Sequence, residues 1–257
     1  MTSISHPTAE PHTNGPPSAY SRFKRTQTPL SRKLVVEFIG TFVLVFTVCT
    51  ATNPKTGAGA LAPLAIGSAL MVMVFAGGHI SGGHYNPAVS TAVRIRGRLT
   101  STEWASYVAT QLLAGVLASL IARVLSGAGH DGVHAGGGKI LVAELVFSFA
   151  LAYVVLHVAT ASSTQGNSFF GLAIGFTVVV GAFAVGGVSG GAFNPAVALG
   201  GSVLGIFSWS DYWIYVVASL LGAALAAGAF LFVESDESVA SDAHVVRADR
   251  QSQTSPS

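Results

Sequence analysis

The residues of this chain best suited to chemistry in an apolar setting are two asparagines in a duplicated box. Asn86 stands in Ile80-Ser81-Gly82-Gly83-His84-Tyr85-Asn86-Pro87-Ala88-Val89, and Asn194, 108 residues later, in Val188-Ser189-Gly190-Gly191-Ala192-Phe193-Asn194-Pro195-Ala196-Val197. Asn is among the best helix N-caps, and Pro at the next position has no N–H to lose and a φ already suited to the helix. Each Asn-Pro-Ala therefore marks a helix start. If two such starts face one space, each brings about half a positive charge there, and the asparagine amides add N–H donors. Cations and hydronium meet a barrier in that field, whereas a neutral molecule that accepts hydrogen bonds is stabilised. A water accepting from both amides turns its hydrogens away in both directions, which interrupts a proton wire.

The elements that must position these boxes are membrane-spanning. Apolar residues make up 51% of the 257-residue chain and charged residues 9%, and the mean hydropathy is +0.60. A soluble domain of that length needs far more polar surface. Spans are expected near 34–52, 61–79, 103–125, 139–161, 169–187 and 211–233, each long enough for a hydrocarbon core of ~30 Å. Two shorter apolar pieces, Pro87 to about Ile95 and Pro195 to about Leu204, reach only ~15 Å as helix and cannot cross. Each follows Gly-rich backbone, so each is expected to return from the midplane as a half-helix behind a re-entrant loop. Irregular backbone at that depth must line a cavity or pack within protein.

The membrane domain is placed at 34–233, with repeats at about 34–125 and 139–233, and polar segments 1–33 and 234–257 are expected to be disordered tails. The absence of an apolar stretch close behind Met1 argues against a cleaved signal peptide. The lone Cys49 has no disulfide partner. Arg22, Lys24, Arg25, Arg32 and Lys33 before the first span, Arg94, Arg96 and Arg98 between the second and third, and Arg247 and Arg250 after the sixth put ten of thirteen cations on one side. Lys55, Arg123 and Lys139 fall on the other. Both termini are therefore expected to be cytoplasmic. Trp104, Trp209, Tyr212 and Trp213 open spans and are expected as interface anchors.

The duplication extends beyond the boxes. Glu37 lies 49 residues before Asn86 and Glu144 lies 50 before Asn194. Each half holds three spans and one half-helix, and an odd number of spans inserts the second half upside down. The expected fold is an all-α membrane protein: six transmembrane helices plus two re-entrant half-helices in an inverted repeat, with the half-helix tips meeting at mid-membrane.

The two Asn-Pro-Ala boxes, the run from Gly78 to Val89 and the paired glutamates resemble the aquaporin, or major intrinsic protein, family from about Leu34 to Val233. The resemblance implies a pore in each subunit and a homotetramer in the cell membrane. It also implies that Glu37 and Glu144 each accept backbone N–H bonds from a re-entrant loop, and that His84 lines the pore or braces its loop. His79 is expected to fix the same loop, and His157 to be a packing residue. The pore residues are Asn86, Pro87, Ala88, Asn194, Pro195 and Ala196. Most members follow the second box with Arg, part of an outer constriction; here Val197 stands there, and the other constriction positions fall on Ile66, Ala182 and Gly191. The outer filter is then uncharged, apolar and wide.

The expected function is passive passage of water and small neutral solutes, with glycerol, urea, ammonia and hydrogen peroxide as candidates besides water. The partners are those solutes and lipid, with no nucleic acid and no cofactor or metal. A secondary transporter relaying protons through Glu37, Glu144 and the histidines is the alternative. An intramembrane enzyme is disfavoured, since no spaced metal ligands, activated nucleophile or phosphate-binding loop occurs in the sequence.

Overall fold

A computed structural model describes residues 28–126 and 136–234. Most of the expected tails lies outside the described residues. Eight α-helices follow in order: α1 Leu30–Ala51, α2 Ala62–Ser81, α3 Pro87–Ile95, α4 Ser101–Ser126, α5 Gly137–Thr160, α6 Phe170–Ser189, α7 Pro195–Leu204 and α8 Tyr212–Val233. Two single 3₁₀ turns, Gly59–Leu61 and Ser162–Thr164, precede α2 and follow α5. Among the described residues six helices are long and apolar enough to cross a membrane, and α3 and α7 are the two that are not.

The half-helices match their expected bounds, because Asn-Pro fixes the start. Asn86 and Asn194 are extended, at φ −157° and −162°, and Pro follows each at the first helical position. α2 and α6 each run two residues further than expected, to Ser81 and Ser189, and stop at Gly82 (φ 95°) and Gly190 (φ 83°). A left-handed residue ends a helix, and glycine adopts that conformation without steric penalty. α1 starts at Leu30, four residues earlier than expected, within the segment assigned to the tail. Lys33 explains the difference: its ammonium bonds Glu103 of α4 at 2.7 Å, so the first turn has a tertiary partner that composition does not reveal.

α1 begins and α8 ends on one side of the bundle, here the terminal face. The main packing pairs are α1 with α4, α5 with α8, and α2 with α6. The α2–α6 crossing is close because both helices present glycine. A Cβ on Gly67 would lie 2.6 Å from the Gly175 carbonyl, and one on Gly175 would lie 2.5 Å from the Gly67 carbonyl. Small residues at helix crossings let backbones approach in this way. Gly115 and Gly222 serve similarly, against Ala196 O at 2.6 Å and Leu145 O at 2.5 Å. α3 packs on α8 and α7 on α4, so each half-helix is gripped by a span from the other half of the chain.

Candidate pore

Each re-entrant loop is organised around one buried glutamate. Glu37 Oε1 accepts from Ser81 Oγ (2.7 Å) and His84 N (2.9 Å), and Oε2 from Tyr85 N (2.7 Å) and Gln111 Nε2 (2.8 Å). Glu144 Oε1 accepts from Ser189 Oγ (2.7 Å) and Ala192 N (3.0 Å), and Oε2 from Phe193 N (2.6 Å). Both carboxylates are fully buried. Several donors per carboxylate are what such burial requires.

The bracing bends the loops. Tyr85 (φ 49°) and Phe193 (φ 48°) occupy the left-handed region, which costs a non-glycine residue about 1–3 kcal/mol. Their N–H groups are held by the glutamates, and their carbonyls accept from the asparagine of the opposite repeat. Asn86 Nδ2 donates to Phe193 O and Asn194 Nδ2 to Tyr85 O, each at 2.9 Å. The asparagine oxygens cap their own helices, accepting from Ala88 N (2.8 Å) and Ala196 N (2.9 Å). Each side chain thus ties its helix start to the other loop and keeps one N–H free. The two half-helix tips therefore meet, and half of the amide donors hold them together.

The Tyr85 ring is wedged between α1 and α2: a Cβ on Gly40 would overlap it, and its hydroxyl donates to Met73 O at 2.9 Å. In the second repeat Phe147 stands opposite Phe193 with ring centroids 5.4 Å apart. Tyr107 and Tyr215 clamp the ends of α2 and α6, donating to Ser81 O (2.7 Å) and Ser189 O (2.6 Å).

Both asparagines line a narrow cavity that is partly open to solvent, with about 440 Å³ of empty space counted together with its open mouths. Sixteen residues line it, in eight repeat-related pairs: Leu44 with Leu151, Val48 with Val155, Ile66 with Ile174, Leu70 with Val178, Gly83 with Gly191, His84 with Ala192, Asn86 with Asn194, and Val89 with Val197. Six pairs are identical in residue type, and no lining residue is Asp, Glu, Lys or Arg. At Gly83 and Gly191 only backbone is available to line the wall. Of the four expected outer positions, Ile66, Gly191 and Val197 line this cavity. Ala182 is not among the lining residues; its Cα backs Gly191, 3.4 Å from where a Cβ there would sit.

His84 lines both this cavity and a vestibule on the terminal face. Its Nδ1 is 3.1 Å from Ser90 Oγ, and its ring meets Tyr107 edge-on at 5.3 Å. His79 departs from expectation: it is exposed on the vestibule wall, and no hydrogen bond from it is seen among the described residues. Ser81 and Tyr107 do the holding instead. His157 packs between Tyr153 and Phe230 at 4.1 and 4.8 Å, outside the cavity.

Three contacts were not foreseen. Gln111 of α4 is a donor to Glu37 and to Ser90 Oγ (3.0 Å). Trp104, expected as an interface anchor, is half-buried and donates to Thr91 Oγ1 of α3 at 3.0 Å. Arg96 is buried at the end of α3, bonds Thr160 Oγ1 at 3.1 Å, and stacks over Phe230 at 4.9 Å. The signal for Tyr107 and Tyr215 was present in the sequence: they too recur 108 residues apart.

Six spans, two half-helices meeting tip to tip and an uncharged cavity around the tips define an inverted-repeat membrane channel. The Major intrinsic protein family profile matches residues 13–78 and 65–231. Aquaporin NIP1-1 of Zea mays is 36% identical over 212 residues, covering 79% of this chain and 74% of that one. Probable aquaporin TIP4-1 of Oryza sativa subsp. japonica is 38% identical over 211 residues, covering 76% and 84%. The X-ray structure of the aquaglyceroporin from Plasmodium falciparum superposes with a TM-score of 0.67 at 21% identity, over 79% of this chain and 96% of that one, a shared fold. The chain belongs to the major intrinsic protein family. It is an integral membrane protein and a passive channel for water and small solutes, not an enzyme.

Proposed function

We propose that the channel passes small neutral solutes besides water, through an outer constriction that is apolar and wide. The observation that carries this reading is the cavity itself: both asparagines face a wall with no Asp, Glu, Lys or Arg, and Val197 lines it at the position where the family resemblance implies a guanidinium. Without that fixed cation and its fork of donors, rejection of bulkier neutral solutes relaxes. Cation exclusion then rests on the half-helix dipoles and the free asparagine N–H groups. Ile66, Gly191 and Val197 form the constriction, with Ala182 behind the glycine. Pro87, Ala88, Pro195 and Ala196 shape the tips, and Glu37, Glu144 and His84 hold the loops.

The fully hydrogen-bonded glutamates support bracing over a proton relay, since neither carboxylate lines the cavity. The terminal face carries Arg32, Lys33, Arg94, Arg96 and Arg98, which supports cytoplasmic termini. The proposed assembly is a homotetramer, which the family resemblance implies, and the proposed location is the plasma membrane. Stopped-flow shrinkage of proteoliposomes in water, glycerol, urea, ammonia and peroxide gradients tests the reading. We expect non-saturating flux, independent of any ion gradient, with measurable glycerol or urea passage. A flux that saturates and requires the gradient overturns it.

A further inference from the structure

The near-identity of the two arms of the cavity locates what differs between them. On the outer arm, the wall beyond the asparagines is Val197, Ile66, Gly191 and Ala192; on the terminal arm it is Val89, Ile174, Gly83 and His84. The first three are the same residue types at repeat-related positions, and Val89 and Val197 are each the third residue of their half-helix. The same side chain on the same backbone gives each arm the same collar. The fourth position breaks the match, with a methyl on one arm and an imidazole on the other.

That imidazole is not free to leave. Ser90 holds Nδ1 at 3.1 Å, Tyr107 packs on the ring, and the space over Gly82 is closed by Nε2, 2.9 Å from where a Cβ would be. Its exposure is 7%, and it lies at the junction of the cavity and the terminal vestibule. The other unequal pair, Leu70 and Val178, lies a turn further along α2 and α6 from the collar isoleucines, toward the asparagine tips, and belongs to neither collar.

Building on the reading that the outer constriction is wide, we propose that the size limit of this channel is set on the terminal side. Val89 and Ile174 form the limiting collar, with His84 as its narrowing residue, and Val197 is not the limiting position. Two apertures in series are governed by the narrower one, so widening the other changes little. A solute that clears Val197 and Ile66 still meets the same valine and isoleucine plus a fixed ring. His84 also gives the limiting collar its one side-chain hydrogen-bonding group, which favours solutes that can exchange water for a bond to an imidazole.

The test compares matched truncations in the full-length protein, reconstituted in liposomes and read as the ratio of glycerol to water permeability. We expect Val89→Ala to raise that ratio at least threefold and Val197→Ala to raise it less than 1.5-fold. Ile174→Val against Ile66→Val is the second matched pair, milder in volume, and decides the question if an alanine variant does not give monodisperse protein. Equal effects on the two arms, or a larger effect at Val197, overturn the proposal. Wild-type liposomes no more permeable than empty ones would instead overturn the channel reading on which it rests, so the two failures are distinguishable.

Discussion

The Asn86 side chain donates to the carbonyl of Phe193 at 2.9 Å, joining residues 107 positions apart at the centre of the molecule. Its mirror image joins Asn194 to Tyr85 at the same distance. These two bonds make the asparagines structural before they are selective, because they fix the separation of the half-helix tips around the passage.

Asn86→Asp separates those roles. A carboxylate still accepts from Ala88 N but cannot donate to Phe193 O, so two acceptors face each other. Asn86→Ala loses the cap as well, about 1 kcal/mol, and the cross-bond, about another 1 kcal/mol. We expect a melting temperature in detergent lowered by roughly 4–8 °C for the alanine variant. For the aspartate variant we expect a cation leak in a dye-based flux assay, since a negative charge replaces a donor at the tip. A tight aspartate variant would argue that exclusion is achieved elsewhere.

Val197→Arg restores a guanidinium to the outer arm. We expect glycerol and urea permeability to fall at least fivefold relative to water, because a long cationic side chain fills the ring made with Ile66 and Gly191. Unchanged fluxes in well-folded protein would mean that Val197 is misplaced in the constriction.

Glu37 accepts four hydrogen bonds and Glu144 three. Hydrogen bonds to a charged group contribute about 1.5–3 kcal/mol each. Replacement by glutamine leaves an amide N–H against backbone donors. We expect Glu37→Gln to lower the yield of monodisperse protein more than Glu144→Gln does. Gln111→Leu is expected to destabilise by about 1–3 kcal/mol, whereas Ser219→Ala, at the equivalent position, costs less because Ser219 bonds only the Tyr215 carbonyl of its own helix. The readout is fluorescence-detected gel filtration after a heating series.

The α2–α6 crossing has no room for a methyl group. Gly67→Ala and Gly175→Ala are each expected to cost about 1–3 kcal/mol, as overpacking usually does. Gly228→Ala in α8, where nothing lies within 4 Å of the added carbon, is expected to be neutral or slightly stabilising, since alanine is the better helix former. Equal melting shifts at the two kinds of site would contradict the close crossing.

Much of the molecule was legible in its residues. The spans followed from runs of apolar residues, the half-helices from Asn-Pro and their length, and the inversion from three spans per repeat, because each of these is a local property or a count. The starts of α3 and α7 were read to the residue since a capping side chain and a fixed proline φ act within one turn. Contacts across the fold were not legible. Nothing local distinguishes Gln111 from a packing residue, Trp104 from an interface anchor, or His79 from a loop brace, because each role depends on which atom arrives from a distant segment. The pairing of Val89 with Val197 was visible as an alignment, but only the folded cavity shows both facing one passage. The His84 and Ala192 difference was visible in the same alignment; tertiary structure alone decided that the imidazole is fixed at the cavity wall, since the direction of a side chain is set by the backbone that carries it and by the neighbours that confine it.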